Sequence, residues 1–171
     1  METRLVPGME KLQRAINDAA TMHSQLPSCF TELVAIANVC LRALKQGNKL
    51  LFCGNGGSAA EAQHIATEFV VRLTAKRNRR ALAAMALTTD TSLITACAND
   101  MGFEKIFARQ VEAHLRKGDV LFLLSTSGTS QNLIEAAQAA RSQNGINVAF
   151  LGKDNTPLDE HVNHSLHVPS H

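Results

Sequence analysis

Two hydrophobic rhythms alternate along the chain. From about Met9 to Leu26 apolar and polar residues recur at helical spacing, and Pro27-Ser28 interrupts them, with Ser28 placed to cap a second helix. The stretch "FTELVAIANVCLRALKQG" repeats the helical pattern and stops at Gly47. "KLLFCG" is then a short unbroken apolar run, the pattern of a strand buried on both faces. A helix from the glycine turn through His64 comes next, then a strand at "LAAMALT" (Leu82 to Thr88). "DTSLITACAND" and "GFEKIFARQVEAHL" read as helices, and "DVLFLLST" (Asp119 to Thr126) as the clearest strand. "SQNLIEAAQAARSQNG" is an alanine-rich helix ending at Gly145, "NVAFLG" a further strand and "SLHVP" a last short one. Strands alternating with helices predict an α/β fold, a parallel sheet covered on both faces, preceded by two helices (about 1–47 leading helices, 48–171 core, one domain).

Composition narrows this picture little. In 171 residues, 45% are apolar, enough for one core, and the formal net charge is +2, too small to argue for a nucleic-acid partner. The basic cluster "KRNRR", Lys76 to Arg80, reads as a solvated loop. Cys29, Cys40, Cys53 and Cys97 lack metal-finger spacing and read as reduced thiols, three of them within apolar runs. The N-terminus lacks a signal-peptide pattern and no apolar run reads as long enough to span a bilayer, so a cytoplasmic protein without a membrane partner is expected.

The chemistry sits in two strand-to-helix turns. In an open parallel sheet, ligands bind beyond the carboxyl ends of the strands. The first turn is "CGNGGS", with Asn55, Gly56, Gly57 and Ser58; the second is "STSGTS", with hydroxyls on Ser125, Thr126, Ser127, Thr129 and Ser130. Unpaired N–H groups at a helix start, the helix dipole and small hydroxyl donors together suit a phosphate. Neither turn has the GxxxxGK[ST] or GxGxxG pattern, so a phosphate monoester on a small molecule is favoured over a nucleotide. The competing account is that these residues only cap a helix and shape a turn.

On the helix after the first turn, Glu61, His64, Glu68 and Arg72 fall on one face and Ala62, Ile65, Ala66, Phe69, Val70 and Leu73 on another. The polar stripe is either solvent-facing, with pairs at four-residue spacing, or functional. His64 and Glu68 stand side by side as two candidate ligands of one metal ion, and Glu68 also suits proton transfer.

Together, "CGNGGSAAEAQHIATEF", "TTDTSLITACAND" and "STSGTSQNLIEAA" resemble the sugar isomerase (SIS) domain family, and within it the branch that isomerises heptose phosphates. The resemblance implies a flavodoxin-like three-layer α/β/α fold and a homotetramer with active sites at subunit interfaces. It implies conversion of sedoheptulose 7-phosphate to glycero-manno-heptose 7-phosphate, the first step toward the activated heptose of lipopolysaccharide or other surface glycans. On matching positions it implies phosphate contacts from Ser125, Thr126, Ser127 and Ser130. Substrate contacts would come from Asn55, Gly56, Gly57, Ser58, Glu68, Arg72, Asn99 and Asp100. His64 and Glu68 would be zinc ligands, with Glu68 the base. Two departures stand out. The family carries a further helix past "PS" whose glutamine and histidine complete the zinc site, whereas the 171 residues end at His171, and His161, His164, His167 and His171 do not match that pattern. Two ligands hold zinc weakly, so weak or absent metal and little activity are expected of this chain. The loop "TAKRNRRA" also replaces an expected "RP" turn. The rivals are a non-enzymatic SIS tetramer that binds the replication initiator, a regulatory sugar-phosphate sensor, and an isomerase of another sugar phosphate.

Overall fold

A computed structural model describes residues 8–169. Its centre is a five-stranded parallel sheet of β1 (Leu50–Gly54), β2 (Ala84–Ala86), β3 (Val120–Ser125), β4 (Ile146–Leu151) and β5 (His164–His167). The strand order is β2-β1-β3-β4-β5, and every neighbouring pair is parallel. This is the flavodoxin-like order, in which the connections reverse direction between β1 and β3. β1 and β3 are buried along their whole length, which is why they read as unbroken apolar runs rather than alternating ones. The expected strand at 82–88 shrinks to three residues, as befits the sheet edge, where only β1 holds it.

Helices cover both faces. α1 (Met9–Gln25) and α2 (Phe30–Lys45) lead; α3 (Gly57–Val70), α4 (Thr91–Met101), α5 (Ala108–His114) and α6 (Gln131–Ser142) alternate with the strands. One core layer joins Leu51, Cys53, Leu121 and Leu123 of the sheet to Cys97, Val111, Leu133 and Ala137. The other joins Leu50, Phe52, Phe122 and Leu124 to Ile36, Val39, Ala62 and Ala66 of α2 and α3. Burying a side chain of the Leu or Phe class stabilises by about 1.5–3 kcal/mol, so these two layers outweigh any single surface pair.

Four local expectations are corrected. Ser28 does not cap α2: its hydroxyl donates back to the Gln25 carbonyl, and Leu26–Cys29 form a 3₁₀ turn that carries α1 almost directly into α2. By length and composition alone that helical stretch, Met9–Lys45, is long and apolar enough to cross a membrane, contrary to the reading of the sequence. Ile36, Val39, Cys40 and Ala43 are nevertheless buried against the sheet, whereas α1 buries none of its residues. α6 is left through Asn144 (φ 59°), not Gly145. Gly145 instead makes room for Leu115, whose methyl would lie 2.8 Å from an added Cβ. Finally, α3 ends at Val70, so Arg72 does not continue the stripe of Glu61, His64 and Glu68; Arg72 and Leu73 lie in the exposed segment beyond.

Candidate functional site

The loops after β1 and β3 converge because those strands are neighbours. At Gly54 the approach is so close that an added Cβ would lie 2.7 Å from Ser58 Cβ and 2.9 Å from the Leu124 carbonyl. Between the loops is a recess of about 190 Å³ lined by Asn55, Ser58, Leu124, Ser125, Thr126, Ser127 and Ser130. Thus five polar residues singled out from the β3 and β1 turns, Ser58, Ser125, Thr126, Ser127 and Ser130, meet Asn55 in one small concavity.

The hydroxyls divide their work. Ser125, buried, accepts the Gly128 N–H at 3.0 Å and so shapes the turn. Ser127 and Thr129 share a 2.9 Å hydrogen bond. Ser130 occupies the N-cap position of α6 yet makes no side-chain capping bond, and its residue lines the recess. Pure helix capping therefore does not account for the Ser130 hydroxyl. The first N–H groups of α6 and its dipole add positive potential at the same place. Gly128 has φ 65° and packs against Thr156, whose side chain occupies the place a Cβ would take. A side chain there is excluded twice, by conformation and by space.

Asn55 is not simply a free donor. It and Asn132 exchange two amide hydrogen bonds, Asn55 Nδ2 to Asn132 Oδ1 at 2.9 Å and the reverse at 2.8 Å. Asn132, almost wholly buried in the second position of α6, was not singled out from the sequence. A polar amide directly after a hydroxyl-rich loop was the available signal. Gly56 N-caps α3 and Gly57 opens it, both exposed beside the recess without appearing in its lining.

His64 and Glu68 lie further along α3 in a second cavity of about 830 Å³, shared with Glu61, Phe69, Arg77 and Arg79. His64 Nε2 stands 3.5 Å from Glu68 Oε1. Glu68 Oε2 is buried and has no hydrogen-bond partner among the described residues. A carboxylate oxygen withdrawn from water without a partner costs free energy unless something else fills its coordination. The imidazole and carboxylate are chemically suited to zinc, but among the described residues no cluster of three or more His, Cys, Asp or Glu surrounds a metal position. They fit as half of a zinc site, since such sites use three or four protein ligands.

The two cavities share no lining residue. Ser58 and Glu68 are ten residues apart on α3, about 15 Å along its axis at 1.5 Å per residue. The single chain thus separates the hydroxyl recess from the carboxylate. Asn99 and Asp100, in the last turn of α4, bond to each other at 2.7 Å, are exposed and line neither cavity; exposed Arg72 lines neither as well. His161, His164 and His167 lie around β5: His164 pairs with Glu32 at 2.7 Å and His167 with Asp159 at 3.0 Å, so neither accompanies His64. His171 lies outside the described residues.

The parallel sheet of this order, with a hydroxyl loop after β3, makes the chain a flavodoxin-like α/β domain, and the SIS domain family model matches residues 11–152. The chain belongs to the SIS domain family. It is 50% identical over 151 residues to the phosphoheptose isomerase of Roseiflexus sp. (strain RS-1), covering 88% of this chain and 74% of that relative. The solved phosphoheptose isomerase GmhA of Neisseria gonorrhoeae superposes with TM-score 0.80 at 37% identity, covering 95% of this chain and 84% of that one. The phosphoheptose isomerase of Francisella tularensis gives 0.85 at 31% identity, with 96% and 87% covered. Within the SIS proteins, its family is that of the phosphoheptose isomerases.

Proposed function

We propose that the chain is an aldose–ketose isomerase that converts sedoheptulose 7-phosphate to glycero-manno-heptose 7-phosphate, the opening step toward activated heptose for surface glycans. The identity to phosphoheptose isomerases supports the substrate. The observation that carries the chemistry is Glu68 Oε2, a buried carboxylate oxygen without a partner among the described residues, in an open cavity. The sugar's phosphate would sit in the recess of Ser125, Thr126, Ser127 and Ser130, with Asn55 to Ser58 on its other side. Asn99, Asp100 and Arg72 would reach the sugar only in the assembled protein.

In the reaction, Glu68 takes a proton from C1 of the open-chain ketose and returns it to C2, while the O1 hydroxyl proton passes to O2. Negative charge builds on oxygen in the intervening enediolate, where a nearby positive or donating group lowers the barrier. His64, beside Glu68, orients the carboxylate. Zinc, when bound by His64 and Glu68 with further ligands from outside the described residues, would supply that positive charge.

A homotetramer resolves the separation of the two cavities, by bringing one copy's Glu68 toward another's hydroxyl recess. Its support is apolar surface left uncovered. α1 has no buried residue and exposes Leu12 and Ile16, and Phe30 and Val34 of α2 are exposed. An almost wholly apolar groove of about 440 Å³ runs between α2 and α3 over Phe52 and Phe122. The whole chain, 1–171, would act as one SIS unit in the cytoplasm, with no nucleic acid or membrane as partner. The initiator-binding alternative is not favoured, because His64 and Glu68 are both kept.

The test is turnover of sedoheptulose 7-phosphate by the purified protein, with and without zinc, beside Glu68→Gln. We expect Glu68→Gln to lose product formation while still binding the phosphate ester. Normal turnover by that variant would remove Glu68 as the base, and a monomer by light scattering would remove the shared site.

A further inference from the structure

α3 delivers Glu68 from its last turn, yet that turn has no basic residue of its own. The last four carbonyls of a helix lack intrahelical partners and carry its negative pole. Here Val71 N–H takes the Thr67 carbonyl. The next two are taken from outside the helix: Arg79 Nη2 donates to the Glu68 carbonyl at 2.5 Å and Arg79 Nη1 to the Phe69 carbonyl at 2.8 Å. Nη1 also donates to the Arg80 carbonyl at 3.0 Å, and Leu82 N–H bonds the Phe69 carbonyl at 3.2 Å. The basic loop is therefore folded back onto the end of α3, where Arg79 lines the cavity that holds Glu68 and His64.

We propose that Arg79 is a positioning residue for the isomerisation: its guanidinium clamps the carbonyls of Glu68 and Phe69 and so fixes the backbone from which the Glu68 carboxylate projects. The planar fork of an arginine reaches two successive carbonyls at once, which a lysine ammonium does not reproduce. The guanidinium holds the final turn at the one residue whose side chain must be placed to within a fraction of an ångström of a carbon-bound proton. Displacement of a reacting group by about 1 Å costs on the order of 100-fold in rate. The sequence assigned "KRNRR" to solvent as a block; the structure gives one of its cations a specific place at the end of α3.

The proposal rests on Glu68 being the catalytic base, and the experiment separates the two. Arg79→Ala, Arg79→Lys and, as a charge control from the same loop, Lys76→Ala are compared with the parent chain. Hydrogen exchange reads the clamp without any activity. In Arg79→Ala the Val71 and Leu82 amides should exchange at least about tenfold faster, while amides of β3 are unchanged. Kinetics read its consequence: kcat for sedoheptulose 7-phosphate should fall on the order of tenfold to a hundredfold with KM little changed. Arg79→Lys should be intermediate and Lys76→Ala like the parent. Unaltered Val71 and Leu82 exchange overturns the clamp. Faster exchange with unchanged kcat leaves only a structural cap and overturns the positioning role. A raised KM at constant kcat would instead make Arg79 a substrate contact and also overturn it. If the parent chain itself fails to turn over the sugar, the proposed function fails, and exchange at Val71 and Leu82 still decides whether the clamp exists.

Discussion

Asn55 and Asn132 hold each other by two reciprocal amide hydrogen bonds, joining the glycine turn after β1 to the helix after the hydroxyl loop of β3. Asn55 lines the recess, and Asn132 of α6 holds it from behind, tying the glycine turn to the helix that follows the hydroxyl loop. Removing one partner leaves the other's amide unpaired, half-buried for Asn55 and almost wholly buried for Asn132, which costs about 1–3 kcal/mol. We expect Asn55→Ala and Asn132→Ala each to weaken phosphate-ester binding and lower Tm. The double variant should cost clearly less than the two single losses added together. Simple additivity in a double-mutant cycle would show that the pair does not act as a unit.

Gly128→Ala should damage the recess more than the fold. The residue stands at φ 65°, and a Cβ would run into Thr156. The turn must shift, carrying Ser127 and Thr129 with it. We expect KM for the phosphorylated substrate to rise at least about tenfold while far-UV circular dichroism stays unchanged. A variant with the parent's KM would show that the turn's shape is not what binds phosphate.

Asp119 supplies an acid-sensitive lock at the start of β3. Burial pushes its carboxyl upward, but the Lys49 ammonium, the Lys49 N–H and the Arg116 N–H together outweigh that and leave it below the ordinary value of 3.8. A carboxyl lowered in the folded state stabilises fully above its unfolded value and loses that contribution as pH falls through the folded one. Tm should therefore hold near neutrality and fall below about pH 4, and Asp119→Asn should flatten part of that fall. The same variant should lose on the order of 3 kcal/mol at pH 7, because it strips a half-buried ion of its partner. An acid limb of identical steepness in Asp119→Asn would refute the assignment.

Thiol chemistry should be confined to one residue. All four cysteines are free; Cys40, Cys53 and Cys97 are buried and Cys29 is half-buried. Burial pushes the Cys40 thiol up to about 11 against a weaker backbone hydrogen bond, and pushes Cys53 higher still. Thiolates are the reactive form. A disulfide reagent should label Cys29 in the native protein and the other three only in denaturant. Rapid native labelling of Cys53 would mean the sheet opens more readily than its packing implies.

Most of the architecture was legible along the chain. α2, β1, β3, β4 and α6 lie within a residue or two of their apolar patterns, because those patterns report which dihedrals and faces suit local burial. Arg72 was misplaced because helical spacing extrapolates past Val70, and only the backbone's turn at Val71 ends it. Ser28 was misread for a related reason: a 3₁₀ turn removes the break that a cap would serve.

The sequence by itself determined the elements, the parallel α/β class and the two polar turns, all of them products of short-range pattern and residue chemistry. Tertiary structure alone decided that β1 and β3 are neighbours, so that their turns face one recess and Asn132 reaches Asn55. It also decided that Arg79 folds back to the end of α3, and that Glu68 opens into a different cavity from Ser127 within one chain. These are contacts between residues far apart in sequence, chosen by how buried faces pack together, and no local periodicity encodes them.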